Sequence, residues 1–100
     1  MLKHIVFMKF KPDLPDTEAV RLEQELRALP GIIPEILSYE MGKDIVHSER
    51  SFDFALIGTF RDLSSLKKYI SHPEHQEILK HINEICDTIK SVDFEISSGK

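Results

Sequence analysis

Three side chains that can exchange or donate protons lie within seven residues, in the stretch Tyr69–His75. His72 and His75 carry imidazoles, which gain and lose a proton near neutral pH, and Tyr69 carries a hydroxyl donor. A further histidine, His4, lies inside an apolar run near the start of the chain. These residue types indicate acid–base chemistry, provided that the fold brings them into one pocket.

A metal site is the other chemistry that His72 and His75 could support, because they are three residues apart. Such a site needs further ligands from cysteine, histidine or a carboxylate. Glu74 and Glu77 are expected to point to the other side of the helix, and the single cysteine, Cys86, fits a small core residue. No phosphate-binding loop or dinucleotide fingerprint is present. The sequence therefore predicts no metal site and no cofactor.

Each candidate residue also has a structural interpretation. His75 falls on the apolar stripe of a predicted helix, where it is either a core histidine or an acid–base group in a pocket. At that helix start the dipole disfavours the imidazolium, so a neutral base is the more natural state. His4 is either packed against a hydrogen-bond partner or lines a cavity. Tyr69 either holds its hydroxyl at a structural rim or presents it to the same cavity.

The length and charge of the chain restrict its class. One hundred residues predict a single domain over 1–100 with a small core, for which association with a second copy is a reasonable expectation. The net charge is −4, and basic residues are scattered among acidic ones, which argues against a nucleic-acid partner. No run approaches the ~20 apolar residues of a membrane helix. A cytoplasmic protein without a membrane partner is expected, and a lone thiol fits a reducing compartment.

Hydrophobic periodicity and capping residues predict four strands and three helices. Asp16 or Thr17 is the expected cap of the first helix and Asp62 that of the second, while Pro73 separates the second helix from the third. His47 and His81 are expected to face solvent, and the tail 97–100 is expected to fray. The predicted segments are strand 2–10, helix 18–29, strand 36–43, strand 51–60, helix 63–71, helix 74–89 and strand 92–96.

This element order, β-α-β-β-α(α)-β, is that of the α+β, ferredoxin-like fold, with a four-stranded antiparallel sheet and helices on one face. The strand faces directed away from the helices are also apolar. Because an apolar sheet face of that size is rarely left to water, we expect a second subunit to place its own sheet against it. The pattern therefore predicts a homodimer.

At this point the chain resembles a known family, the stress-responsive A/B barrel domain of the dimeric α/β-barrel superfamily. The motif Tyr-x-x-His-Pro-x-His over Tyr69–His75 is the most specific part of the resemblance. The resemblance implies a homodimer whose two sheets close into a barrel-like body, the dimeric α/β barrel. The segments that carry it span nearly the whole chain: 2–10 (LKHIVFMKF), 42–44 (GKD), 52–60 (FDFALIGTF), 66–75 (LKKYISHPEH) and 92–94 (VDF).

The resemblance also implies roles for individual residues. In one branch of the family, the plant polyketide cyclases, a ring closes by aldol-type chemistry without metal or organic cofactor. The first-strand histidine and the second histidine of His-Pro-x-His are the acid–base groups there, with the tyrosine nearby. These positions correspond to His4, His75 and Tyr69. One departure is Phe54, which stands where members often carry a histidine after the aspartate, and which makes the pocket more apolar.

Three functions are therefore expected as alternatives. The first is a small dimeric domain that binds an apolar or aromatic small molecule. The second is a cofactor-free polyketide cyclase or aldol-type enzyme that uses His75, His4 and Tyr69. The third is a cofactor-independent monooxygenase, an activity found on similar-looking dimeric α/β barrels. The residues expected to line the ligand pocket are His4, Val6, Phe54, Tyr69, His72 and His75.

Overall fold

The computed structural model describes residues 1–97, in which four strands and three helices form. Most of the tail that was expected to fray, residues 98–100, lies outside this described part. None of the helices within residues 1–97 is long and apolar enough to cross a membrane. In chain order the elements are β1 (Leu2–Phe10), α1 (Asp16–Ala28) followed by a 3₁₀ turn (Leu29–Gly31), β2 (Ser38–Lys43), β3 (Phe54–Phe60), α2 (Leu63–Ser71), α3 (Pro73–Ile85) and β4 (Cys86–Glu95).

The strands form one antiparallel sheet in the order β2-β3-β1-β4, so β1 pairs with both β3 and β4. The helices lie on one face of the sheet, and the apolar core fills the space between the two layers. The predicted α+β, ferredoxin-like architecture is therefore confirmed. Core residues come from all three helices, from the segment between α1 and β2, and from the inner sheet face; they include Met8, Leu22, Leu26, Leu29, Ile33, Phe54, Leu56, Phe60, Leu66, Tyr69, Ile82 and Ile85.

Local signals set most of the helix ends. Asp62 caps α2 as predicted, with its Oδ1 accepting a hydrogen bond of 2.9 Å from the Ser65 N–H. The helix α1 begins at Asp16 with Pro15 in the cap position and no side-chain cap bond, so the expected capping by Asp16 or Thr17 is wrong. Proline fits there because its fixed φ suits the residue before a first turn and because it brings no N–H that would need a partner.

The boundary between α3 and β4 differs from the prediction, which continued the helix to Ile89. The strand β4 already begins at Cys86, and a bulge opposite Lys9 and Phe10 interrupts its pairing with β1. Because the bulge inserts one extra residue, Cys86 and Ile89 both lie opposite helix-facing residues of β1 although they are three apart. A spacing of three imitates a helical stripe, and this is why the sequence pattern extended the helix too far.

Cys86 is nevertheless buried in the core, as its apolar surroundings predicted. Burial, with Asp53 and Asp87 nearby, raises the pKa of its thiol to about 11. The thiol is therefore protonated at neutral pH, and a protonated thiol is a poor nucleophile.

The face of the sheet without helices carries a row of apolar side chains across three strands. Ile5 on β1 lies between Ile57 on β3 and Val92 on β4 in the pairing register. Val92 and Phe94 keep 48% and 44% of their surface exposed in the single chain. We call this the outer sheet face, and it is the surface that the predicted second subunit would cover.

One histidine occupies an unexpected position between α1 and α3. His81 was expected to face solvent, but its side chain is only 12% exposed and lies between two acidic residues of α1. Its Nε2 is 3.0 Å from Glu18 Oε1, and its Nδ1 is 2.9 Å from Glu25 Oε1. Carboxylate oxygens accept, so both ring nitrogens donate when both contacts are made. The sequence pattern missed this position because helix packing, not local periodicity, brings the three side chains together.

This arrangement predicts a pH-dependent contribution to stability. Desolvation lowers the pKa of His81, but the hydrogen bonds to Glu18 and Glu25 outweigh it and hold the pKa above its ordinary value, against a small opposing effect of Arg21. A raised folded-state pKa gives stability that is complete below the unfolded pKa and is lost as pH rises through the folded pKa. We expect wild type to exceed His81→Gln in stability by about 1 kcal/mol near pH 6, because the acidic partners are partly exposed.

Urea unfolding of both proteins at one protein concentration, at several pH values between 6 and 9, measures this difference. Comparing wild type with His81→Gln cancels the other histidines, including His75, whose contribution has the opposite sign. The difference should shrink as pH rises. A difference that is constant or that grows with pH would contradict the role assigned to His81.

Candidate active site

The joint between α2 and α3 positions the two histidines of the Tyr69–His75 motif. His72 adopts an extended conformation between the helices, and its Nδ1 accepts a hydrogen bond of 3.1 Å from the Glu74 N–H. The His72 ring is therefore engaged in capping α3. Pro73 occupies the first position of α3, where a missing N–H leaves no hydrogen bond unmade. Because α3 begins at Pro73, His75 lies in the first turn of α3, beside the end of α2.

His75 is held in a defined tautomer by the backbone of α2. Its Nδ1 lies 3.1 Å from the carbonyl oxygen of Ile70. A carbonyl oxygen only accepts, so Nδ1 carries the hydrogen and, in the neutral ring, Nε2 carries the free lone pair. The ring also packs against Tyr69, with 4.4 Å between the ring centroids. The position of the proton therefore makes His75 a base at Nε2.

The surroundings of His75 favour its neutral form. Burial lowers its pKa below the ordinary value, His4 and His72 add to the shift, and the hydrogen bond to Ile70 opposes it without cancelling it. The ring is consequently unprotonated at neutral pH. A base that is free at neutral pH can take a proton from a bound molecule without first losing one to solvent.

His4 is buried on the helix-facing side of β1 and lies directly opposite Asp93 on β4. Its Nδ1 donates a hydrogen bond to the Asp93 carboxylate. Asp93 therefore fixes the orientation of the ring and leaves Nε2 as the nitrogen open to another partner. The sequence interpretation placed Asp93 on the face opposite Val92 and Phe94 but gave it no function. Only the β1–β4 register reveals it as the partner of His4.

Tyr69 is fully buried and pairs with a second tyrosine, Tyr39 of β2. The two hydroxyl oxygens are 2.6 Å apart. Burial raises the pKa of Tyr69 to about 12, although the hydrogen bond between Tyr69 and Tyr39 opposes this shift. Tyr69 is therefore a neutral hydroxyl at physiological pH, able to donate one hydrogen bond. Tyr39 was not predicted as a site residue.

These groups meet at a cavity of about 170 Å³ between the sheet and the helices. Four of the predicted pocket residues line it: His4, Val6, Tyr69 and His75. Ser91 is the one other hydrogen-bonding side chain in the lining, and the rest is aliphatic. The complete lining is His4, Val6, Met8, Leu26, Leu56, Tyr69, Ile70, His75, Leu79, Ile82, Ile89 and Ser91.

The other two predicted pocket residues, Phe54 and His72, are not part of this lining. His4 pairs with Gly58, and Phe54 lies four residues before Gly58 at the start of β3, where it pairs with Met8. That separation is about 13 Å at the rise of a strand, and the Phe54 ring packs against Phe10 instead. His72 is engaged at the cap of α3. Within residues 1–97 no group of three or more His, Cys, Asp or Glu side chains is arranged to hold a metal ion.

The fold and site define a class of protein: a small ferredoxin-like domain in which two histidines and a tyrosine line an apolar cavity between sheet and helices. The model of the stress responsive A/B barrel domain (Dabb) family matches residues 2–96, and the chain belongs to this family. Olivetolic acid cyclase of Cannabis sativa is 26% identical over 76 residues, 74% of this chain and 75% of that protein. An uncharacterised protein of Streptomyces coelicolor is 31% identical over 78 residues, 76% of this chain and 80% of that protein.

Solved structures agree with this assignment. A dimeric ferredoxin-like protein of unknown function from Bacteroides fragilis is 31% identical, with a TM-score of 0.83 and 95% of each chain covered. The hydroxynitrile lyase of Passiflora edulis has a TM-score of 0.87 at 21% identity, with 99% of this chain and 95% of that chain covered. At this identity the lyase shows the shared fold alone. The dimeric relative supports the homodimer predicted from the outer sheet face.

Proposed function

We propose that this protein binds a small apolar carbonyl compound in the cavity and catalyses aldol-type acid–base chemistry on it. The observation that carries the proposal is the convergence of His75, His4 and Tyr69 on one cavity whose lining, apart from Ser91, is otherwise apolar. In the proposal the functional unit is a homodimer of single domains, each comprising residues 1–100.

His75 acts as the general base in this proposal. Its Nε2 takes a proton from the carbon next to the carbonyl, and the electron pair of that C–H bond moves into an enolate. The hydrogen bond from Nδ1 to Ile70 supports this role, because it reserves Nε2 for the proton. Proton transfer to a positioned side chain contributes typically 10²–10⁴-fold to a rate.

Tyr69 and His4 stabilise the oxygen of the substrate. The Tyr69 hydroxyl donates to the negative charge that develops on this oxygen, and such stabilisation is strong where water is excluded. The pair of His4 and Asp93 adds a second polar group at fixed orientation. Return of the proton from His75 to carbon completes the exchange reaction. In the aldol reaction the enolate carbon instead forms a bond to a second carbonyl carbon, and the resulting alkoxide takes the proton from His75, which restores the free base.

The size and lining of the cavity support a ligand with one ring. An apolar cavity of about 150 Å³ holds benzene in another protein, and this cavity measures about 170 Å³. The name of one similar protein, olivetolic acid cyclase, is compatible with this proposal. A structural match to an antibiotic biosynthesis monooxygenase at 21% identity concerns the fold alone and does not favour oxygen chemistry.

Exchange of deuterium into acetophenone tests this proposal. Acetophenone has one ring and a methyl group next to its carbonyl. In D₂O the protein is expected to exchange these methyl hydrogens faster than buffer alone, and ¹H NMR follows the loss of the methyl signal. Binding is followed in parallel by the amide shifts of the protein.

The results separate the functions considered. Shifts around the cavity together with exchange support the enzyme. Shifts without exchange would indicate the first alternative, a ligand-binding domain without turnover. The absence of both would contradict the proposal for this class of ligand.

A further inference from the structure

The second tyrosine of the site has no function in the chemistry described so far. Tyr39 is a β2 residue whose hydroxyl is 2.6 Å from that of Tyr69, and it does not line the cavity. Its ring packs at 74° to the Tyr69 ring, with 6.2 Å between the centroids. Tyr39 therefore contacts the group that would touch a ligand without being placed to touch the ligand itself.

The sheet register explains how Tyr39 reaches this position. Tyr39, Gly58, His4 and Asp93 are consecutive partners across the four strands, on the face toward the helices. Gly58, the second residue of this row, has no side chain. A Cβ there would lie 3.4 Å from Cδ1 of Tyr39 and 3.0 Å from Cε1 of Phe60. Glycine thus leaves room for the Phe60 ring, which packs against Tyr69, while the Tyr39 ring lies at ordinary contact distance from this position.

The direction of the hydrogen bond between the hydroxyls decides what Tyr69 can do. Each hydroxyl has one hydrogen. If Tyr69 donated to Tyr39, it would offer a ligand only a lone pair, which repels an oxyanion. If Tyr39 donates, the hydrogen of Tyr69 is free for the ligand. An oxyanion in the cavity only accepts, so it selects the second arrangement, and donation from Tyr39 makes Tyr69 a stronger donor in turn.

We propose that Tyr39 is a positioning residue, which donates its hydroxyl hydrogen to Tyr69 and thereby directs the hydrogen of Tyr69 to the oxygen of a bound carbonyl compound. The inference rests on the proposed function, because it assigns Tyr39 a task in the same cavity. It further implies that the site prefers ligands whose oxygen carries negative charge over uncharged ligands of the same shape.

Equilibrium binding of two probes tests this inference without any turnover. The probes are 4-nitrophenolate, whose oxyanion absorbs visible light, and nitrobenzene, which has the same ring without that oxygen. The ratio of their affinities is measured for wild type, Tyr39→Phe, Tyr69→Phe and the double variant. Tyr39→Phe removes one oxygen and keeps the ring, and unchanged nitrobenzene binding shows that the cavity remains intact.

The expected pattern follows from the hydrogen bonds. Tyr69→Phe should lower the affinity for 4-nitrophenolate about 10- to 100-fold, because it removes a hydrogen bond to a charged group. Tyr39→Phe should lower it about 3- to 10-fold, the effect of one neutral hydrogen bond. The double variant should bind like Tyr69→Phe alone, since Tyr39 acts through Tyr69. Incorporation of 3-fluorotyrosine at position 39, a stronger donor, should raise the affinity.

Several results would overturn the inference. If Tyr39→Phe lowered the affinity for 4-nitrophenolate equally in the wild-type background and in the Tyr69→Phe background, Tyr39 would act independently of Tyr69. A wild-type protein that does not prefer 4-nitrophenolate to nitrobenzene would show that Tyr69 does not donate to an oxyanion. The acetophenone assay judges the proposed function separately, so a protein that prefers the anion through Tyr39 but exchanges no deuterium would retain this inference as a statement about binding.

Discussion

Replacement of His75 by glutamine is expected to lower the rate of acetophenone deuteration by about 100-fold or more, the usual contribution of a general base. Glutamine retains a polar group of similar length at the start of α3, but its amide takes up no proton at neutral pH. Single-turnover or steady-state exchange, followed by ¹H NMR at saturating acetophenone, measures the loss. Circular dichroism and the dimer mass of the variant establish that the fold is kept.

A matched control is His47, which does not line the cavity. His47 is exposed in the loop between β2 and β3 and has a positive φ of 57°. His47→Asn should leave the exchange rate unchanged, because asparagine tolerates this backbone conformation. Equal losses in His75→Gln and His47→Asn would show that the effect is not specific to the cavity. Exchange that persists at the wild-type rate in His75→Gln would exclude His75 as the base.

The pH profile of exchange provides a second readout for His75. Because burial holds the pKa of His75 below its ordinary value, the neutral base is the predominant form at pH 7. The rate should therefore rise with pH in the acidic range and level off towards neutral pH. A rate that continues to rise through pH 8 would point to another group.

The parts of the fold that sequence predicts well are those set by neighbours along the chain. Asp62 caps α2, and the buried stripe of Ala19, Leu22 and Leu26 on α1 follows from helical spacing. Pro73 separates α2 from α3 through its own backbone geometry. Each of these features depends on a few adjacent residues. Together with the alternation of the strands they determine the element order, and the order determines the ferredoxin-like topology.

The parts that sequence did not reveal depend on register between distant segments. Asp93 meets His4 across 89 positions, and Tyr39 meets Tyr69 across 30. Nothing near Asp93 in the chain distinguishes it from a solvated acid on an edge strand. The β1–β4 pairing places Asp93 opposite His4. The bulge between Lys9 and Phe10 shifts this pairing by one residue relative to the pair of Phe10 and Cys86. Residue types alone therefore predicted the candidate site, whereas its supporting groups, Asp93 and Tyr39, could be recognised only in the structure.

The candidate site and the outer sheet face use opposite sides of the same strands. His4 and Val6 of β1 face the cavity, while Ile5 between them lies in the apolar row of the outer face. A substitution on the outer face therefore tests the dimer without entering the cavity. The same substitution also shows whether an isolated subunit keeps the geometry of His4, since contacts on the outer sheet face would support β1 from the other side.

Substitution of Val92 by aspartate is expected to convert a dimer of twice the 11.6 kDa chain mass into a monomer of 11.6 kDa. Val92 is 48% exposed in the single chain, so a monomer accommodates aspartate readily. In a symmetric interface each subunit contributes the same residue, so two carboxylates would be buried against apolar surface. A buried, unpaired charge is strongly unfavourable. We expect the dimer to weaken by about 100-fold or more, with ~1.4 kcal/mol for each factor of ten.

The control for this experiment is an equally apolar residue outside the outer sheet face. Leu63 is 56% exposed at the start of α2, where the helix dipole tolerates a negative charge. Leu63→Asp should remain dimeric when light scattering is recorded over a dilution series beside Val92→Asp. A Val92→Asp protein with the full dimer mass at low micromolar concentration would place the subunit contact elsewhere. If it is monomeric, its acetophenone exchange then measures how far the arrangement of His4 and His75 depends on the second subunit.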